Sequence, residues 1–192
     1  MEKERLLAFT DGVIAVIITI MVLELKVPQD TGLGALVSVI PVFLSYMLSF
    51  TYVSIYWNNH HHFFHLVRHV NGMTLWANIN LLFWLSLIPF ATGWMGENHF
   101  APVPTALYGV ALLMSALAFY GLQLGHYSRA RQRGALARAI GRDLKGKVSP
   151  VLYVAGILLA FADARIACAV YLLVALLWFI PDRRIERVVR RP

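Results

Sequence analysis

Six apolar segments joined by short polar connections leave this chain one kind of solvent for most of its surface. The segments run over about 5–27, 33–57, 73–95, 104–127, 148–162 and 165–180. The second continues as a predicted helix through the histidines to about residue 65. A membrane-crossing helix needs about 20 apolar residues, so the first four are long enough and the last two are short. Hydrophobic residues make up 59% of the 192 and charged residues 14%, with a mean hydropathy of +0.64. One small core cannot hide that much apolar surface. The expectation is an all-α integral membrane protein: a single transmembrane domain, 1–192, of six transmembrane helices. A lone cysteine, Cys168, excludes an intrachain disulfide. The first segment carries Asp11, ends in ELKVPQD and has no small-residue cleavage site, so it is predicted to be a retained helix rather than a leader.

The formal charge of +7 is unevenly spread. Of the 17 Lys and Arg residues, all but Lys26 and Arg165 fall before or at the start of the first segment (Lys3, Arg5) or on connections of the same parity: Arg68, the cluster from Arg129 to Lys147, and the tail from Arg183 to Arg191. Short basic loops stay in the cytoplasm. Both termini and the loops 58–72 and 128–147 are therefore predicted inside, with 28–32, 96–103 and 163–164 outside. A nucleic-acid partner would need these charges on a folded polar surface and is not expected; membrane lipid is.

This topology brings polar groups from three helices to one depth. Asp11 lies about two turns into the first segment. The second ends in Trp57, Asn58, Asn59, His60, His61, His62 and His65, and the third begins with Asn78 and Asn80. A carboxylate at the centre of a span costs roughly 2.5–3.5 kcal/mol, so it normally faces protein or water and finds a partner. Either a hydrogen-bonded layer fixing the first helix or an ion pathway would use Asp11. On the same helix Gly12, Val16, Thr19, Ile20 and Leu23 share one face. In a symmetric oligomer that face would ring a pore with apolar constrictions and one layer of hydroxyls. Ordinary helix packing, with Thr19 bonded back to a carbonyl one turn earlier, explains the same spacing.

The run Arg5-x-x-x-Phe9-Thr10-Asp11-Gly12-Val13, followed by an apolar stretch with Thr19 and ending LELKVP, resembles the signature of the prokaryotic TMEM175 family, R-x-x-x-F-S-D, with Thr10 in place of serine. TYVSIYWNNHHHFF (51–64), NINLLFWLSLIPFATG (78–93) and YLLVALLWFIP (171–181) extend the resemblance to four of the six segments. It implies a multi-pass potassium channel of a prokaryotic plasma membrane, six helices per subunit, assembled as a homotetramer with the first helix lining the pore. It implies apolar rings, a hydrophobic gate, at Val16, Ile20 and Leu23, with Thr19 contributing to ion selectivity. It also implies a structural network of Arg5, Phe9, Thr10 and Asp11 with Trp57, Asn78 and one of His60–His62, His61 standing for the three. Val16 is smaller than the Ile or Leu usual at its position, which points to a wider innermost ring. No TVGYG-like filter occurs in the chain, so modest selectivity is expected. K+ is the permeant ion, and no cofactor or enzymatic activity is expected.

Other readings rest on fewer residues. His61 and His65, spaced i,i+4, share a helix face as zinc ligands do, but no cysteine or carboxylate lies nearby in sequence to complete a site; no metal is expected. Haem ligation would need histidines facing across helices, and only His126 lies near another inner end. An ion-coupled secondary transporter would place charges and broken helices near the midplane with an inverted repeat, whereas Asp11 lies near one end and no repeat is evident. A membrane scaffold would use Gly121-x-x-x-Gly125 for close helix packing. A proton-permeable leak would follow from transient wetting of the apolar rings.

Overall fold

A computed structural model describes residues 3–28, 30–67, 69–130 and 144–179 of the chain. Arg68, the stretch 131–143 and the tail 180–192, which carry most of the basic residues used for orientation, lie outside the described residues. Seven helices hold nearly all of the rest: α1 (Lys3–Leu23), α2 (Leu33–Leu66), α3 (Gly72–Ser86), α4 (Ile88–Glu97), α5 (Pro102–Ala130), α6 (Leu144–Leu159) and α7 (Ala164–Phe179). Among the described residues there is no strand.

Among the described residues, four stretches are long and apolar enough to cross a membrane: Lys3–Leu23, Leu33–His65, Gly72–Glu97 and Pro102–Leu124. At 1.5 Å per residue the 34 residues of α2 reach about 51 Å, well beyond a hydrocarbon core of about 30 Å. The excess includes the polar end from Trp57 to His65. Pro41 does not end the helix. The 16 residues each of α6 and α7 reach only about 24 Å.

Residues 72–97, one segment by hydropathy, form two helices. Pro89 explains the break. It has no N–H to give, and its ring crowds the carbonyl four residues back. The chain tightens before it, with the Leu87 N–H bonded to Trp84 O at 3.3 Å, and restarts with proline in the first turn of α4, where no N–H is needed. At the start of α3, Asn71 caps the helix, its Oδ1 accepting from the Thr74 N–H at 2.9 Å.

Helix α5 is central, packing against α3, α4, α6 and α7, while α1 lies against α2, α3 and α4. The interior is rich in aromatics: Tyr52, Phe64, Tyr108, Tyr153 and Tyr171 are fully buried. Tyr171 of α7 enters a slot left by Gly109 of α5 and Gly156 of α6, where any Cβ would collide with its ring or hydroxyl. Three buried hydroxyls from α2, α4 and α5 pair, Ser49 Oγ lying 2.6 Å from Thr92 Oγ1 and 3.0 Å from Tyr108 Oη. Such pairing is what lets polar groups sit in an apolar bundle.

Candidate functional site: the first helix and its anchors

Beyond Asp11, helix α1 is apolar on every side apart from Thr19, and the fold covers only one side of it. Leu6, Thr10, Ile14, Ile17 and Met21 recur at spacings of four and three and are buried. The opposite side carries Val16, Ile20 and Leu23, with 54%, 43% and 80% of their surface exposed. Thr19 is exposed on the same side. Its hydroxyl donates to Val16 O at 2.9 Å. The proton is thereby held by the helix backbone, and the oxygen keeps its lone pairs for another partner. Phe9, Gly12, Val16 and Ile20 form one wall of an open groove of about 700 Å³, with Ser86 and Phe90 opposite. A methyl group placed on Gly12 would touch nothing, so the fold of a single chain does not require glycine there.

The covered side is tied down by two sets of hydrogen bonds. In the first, the Asn78 amide donates to Thr10 Oγ1 at 2.9 Å, and its Oδ1 lies 2.8 Å from His60 Nε2. An amide oxygen can only accept, so His60 Nε2 carries the proton in this bond. Thr10, His60 and Asn78 are all at most 2% exposed, and each comes from a different helix. In the second, the Trp57 indole N–H donates to Asp11 Oδ1 at 2.9 Å, joining α1 to α2 at the surface.

His61, which stands for the three histidines in the sequence reading, is not the one that meets Asn78; His60 is. Consecutive residues on a helix point about 100° apart, so one of the three faces α1 and α3 while its neighbours turn away. His61 instead stacks on Trp57, ring centroids 6.0 Å apart at 25°, and its Nε2 lies 2.9 Å from His65 Nε2. His62 Nδ1 contacts Asn58 O at 2.7 Å. Arg5 and Phe9 are exposed, and Arg5 has no hydrogen-bond or ion-pair partner among the described residues. Neither joins the network within one chain. Among the described residues no group of three or more His, Cys, Asp or Glu side chains converges to hold a metal.

At the other end of α1, Lys26 Nζ pairs with Glu97 Oε1 at 2.6 Å. The hydrogen bond to Glu97, then its charge, raises the Lys26 pKa above the ordinary lysine value. Both groups are well exposed, so the pair adds little to stability. Among the described residues nothing lies within 4 Å of a Cβ added at Gly121, half of the Gly-x-x-x-Gly pair.

Comparison with known proteins points to one family. A family model described as the endosomal/lysosomal potassium channel TMEM175 matches residues 5–89. A potassium channel of Chryseobacterium sp. (strain P1-3) is 51% identical over 190 residues, covering 99% of both chains. The crystal structure of a lysosomal potassium-selective channel TMEM175 homolog from Chamaesiphon minutus superposes with a TM-score of 0.83 at 28% identity, over 93% of this chain and 97% of that one. An endosomal/lysosomal proton channel TMEM175 of Mus musculus is 34% identical over 103 residues, 47% of this chain and 21% of that protein.

Proposed function

The chain belongs to the TMEM175 family, and on that premise we propose that it forms an oligomeric, multi-pass channel that conducts K+ with modest selectivity. The observation that carries the reading is the second apolar face of α1. It is long, continuous, left uncovered by its own chain, and interrupted by a single hydroxyl at Thr19. Four copies around an axis would cover it and enclose a pore. The open groove beside it, with the unused room at Gly12, offers a place for a neighbouring subunit.

In this mechanism Val16, Ile20 and Leu23 form successive apolar rings that shut the pore by dewetting. A cation crosses them only after giving up part of its water. K+ sheds water at lower cost than Na+, so a tight apolar ring favours it without a carbonyl filter. Thr19 returns some of the lost oxygens, and its back-bond fixes the hydroxyl so that the oxygen, not the proton, is presented. The Thr10–Asn78–His60 and Asp11–Trp57 bonds hold the rings at their radius from the covered side. The basic loops put that anchored end in the cytoplasm of a prokaryotic cell, with both termini inside. The chemistry needs no cofactor.

The test is ion flux from purified protein in liposomes under K+, Na+ and Cs+ gradients. Downhill K+ flux exceeding Na+ flux, with no added coupling ion, is expected. Flux that requires a counter-gradient would replace the channel with an ion-coupled transporter. A second reading, proton permeation, is favoured by the likeness to the mouse protein named a proton channel. It predicts acidification of a lumenal dye when K+ is equal on both sides.

A further inference from the structure

We propose that His61 and His65 form a two-imidazole binding site for a late first-row divalent cation, Cu2+ foremost. The pair lies outside the pore face and outside the hydrogen bonds that anchor α1. Both rings are exposed, on the part of α2 that exceeds the length of a hydrocarbon core.

The spacing of the ring nitrogens carries the proposal. One helical turn separates the residues, and their Nε2 atoms stand 2.9 Å apart with the ring planes at 80°. At metal–nitrogen lengths of about 2.0–2.1 Å, ligands at 90° stand about 2.9 Å apart and ligands at a tetrahedral angle about 3.3–3.4 Å apart. The observed spacing is that of two neighbouring corners of a square. Square-planar and tetragonal sites suit Cu2+ and Ni2+, and Cu2+ heads the affinity order of the divalent series. Zn2+ would need the rings to open by a few tenths of an ångström.

The rings are already positioned. His61 is held against Trp57, which is itself bonded to Asp11. Without metal, one Nε2–H donates to the other Nε2. Metal binding needs both Nε2 lone pairs, so the donor ring shifts its proton to Nδ1. When both rings are neutral no net proton is released. Among the described residues no third side chain of ligand type joins them, so water fills the remaining positions.

The experiment is Cu2+ titration of tag-free, full-length protein in detergent, read by electron paramagnetic resonance. The wild type is expected to bind one Cu2+ per chain with two imidazole nitrogens in the equatorial plane. His61→Ala or His65→Ala should weaken binding by about tenfold or more and leave one nitrogen. His62→Ala should change neither. Size-exclusion elution at the wild-type position confirms folding, and should a variant misfold, the nitrogen count of the wild type decides alone. No Cu2+ bound by the wild type, a single bound nitrogen, or equal binding by the His61→Ala/His65→Ala double variant would overturn the site. The binding readout does not depend on conduction, so it stands or falls apart from the channel reading.

Discussion

Each side chain of α1 is used according to the side it faces. On the exposed side a hydroxyl in place of a large apolar group lowers the cost of wetting a ring. Val16→Ser and Leu23→Ser are therefore expected to raise leak and the Na+ share of flux in liposomes, and unchanged flux and selectivity in both would remove these residues from the pore. On the covered side the cost is that of broken hydrogen bonds. Asn78→Ala strands the buried hydroxyl of Thr10 and the buried ring of His60. A buried unsatisfied group costs about 1–3 kcal/mol, and interhelical hydrogen bonds in membranes average less, so a loss of about 1–2 kcal/mol is expected from denaturation in detergent. His61→Ala, at an exposed ring, should stay within about 0.5 kcal/mol of wild type. A reversal of that order between Asn78→Ala and His61→Ala would contradict the assignment of His60 to the network. That assignment was illegible from the sequence, because HHH offers three equivalent side chains and only the partners on α1 and α3 select one.

Whole helices depend on a few residues that tell neighbours where to stop or how close to come. Pro89 splits α3 from α4 at a point where hydropathy shows no change. The break was visible in the sequence only as a proline near the end of an apolar run. Gly109 and Gly156 were silent there too. Their meaning appears once Tyr171 is seen between them, hydroxyl against one and ring against the other. Gly109→Ala places a methyl where the Tyr171 hydroxyl lies. Overpacking of this kind costs about 1–3 kcal/mol. A lowered melting temperature in detergent is expected, and Tyr171→Phe restores only part of it, because it removes the nearest colliding atom but leaves the ring and Ile157 within 3 Å of the added methyl. An unchanged melting temperature in Gly109→Ala would mean that the slot is not what holds α7.

For the molecule as a whole the uncovered apolar surface is the dominant fact. Facing lipid, an apolar side chain loses nothing, because lipid tails are as apolar as leucine. A groove beside the exposed face of α1 is a different matter, since packing into it recovers dispersion contacts that loose lipid chains make poorly. The expected assembly is a homotetramer. Mass measurement of the protein in its native detergent micelle should give four chains per particle, and Gly12→Leu, which fills unused room beside α1, should shift it toward fewer. Four chains retained in that variant would show that α1 is not at the subunit interface.

Hydropathy is a local sum over some twenty residues, so the sequence by itself determined that this chain is helical and that several helices can cross a membrane. Helical periodicity is equally local, and it determined that Val16, Thr19, Ile20 and Leu23 share a face. It could not say whether that face is covered. An apolar stripe looks the same facing core, lipid or pore, and α1 has apolar residues on every side. Only the tertiary structure decided that Leu6, Thr10, Ile14, Ile17 and Met21 are the buried ones, because burial is a property of what α2, α3 and α4 bring to the helix. By the same reasoning it gave His60, and not His61 or His62, to Asn78. Spacing in sequence fixes direction around a helix, and only the neighbours fix what lies in that direction.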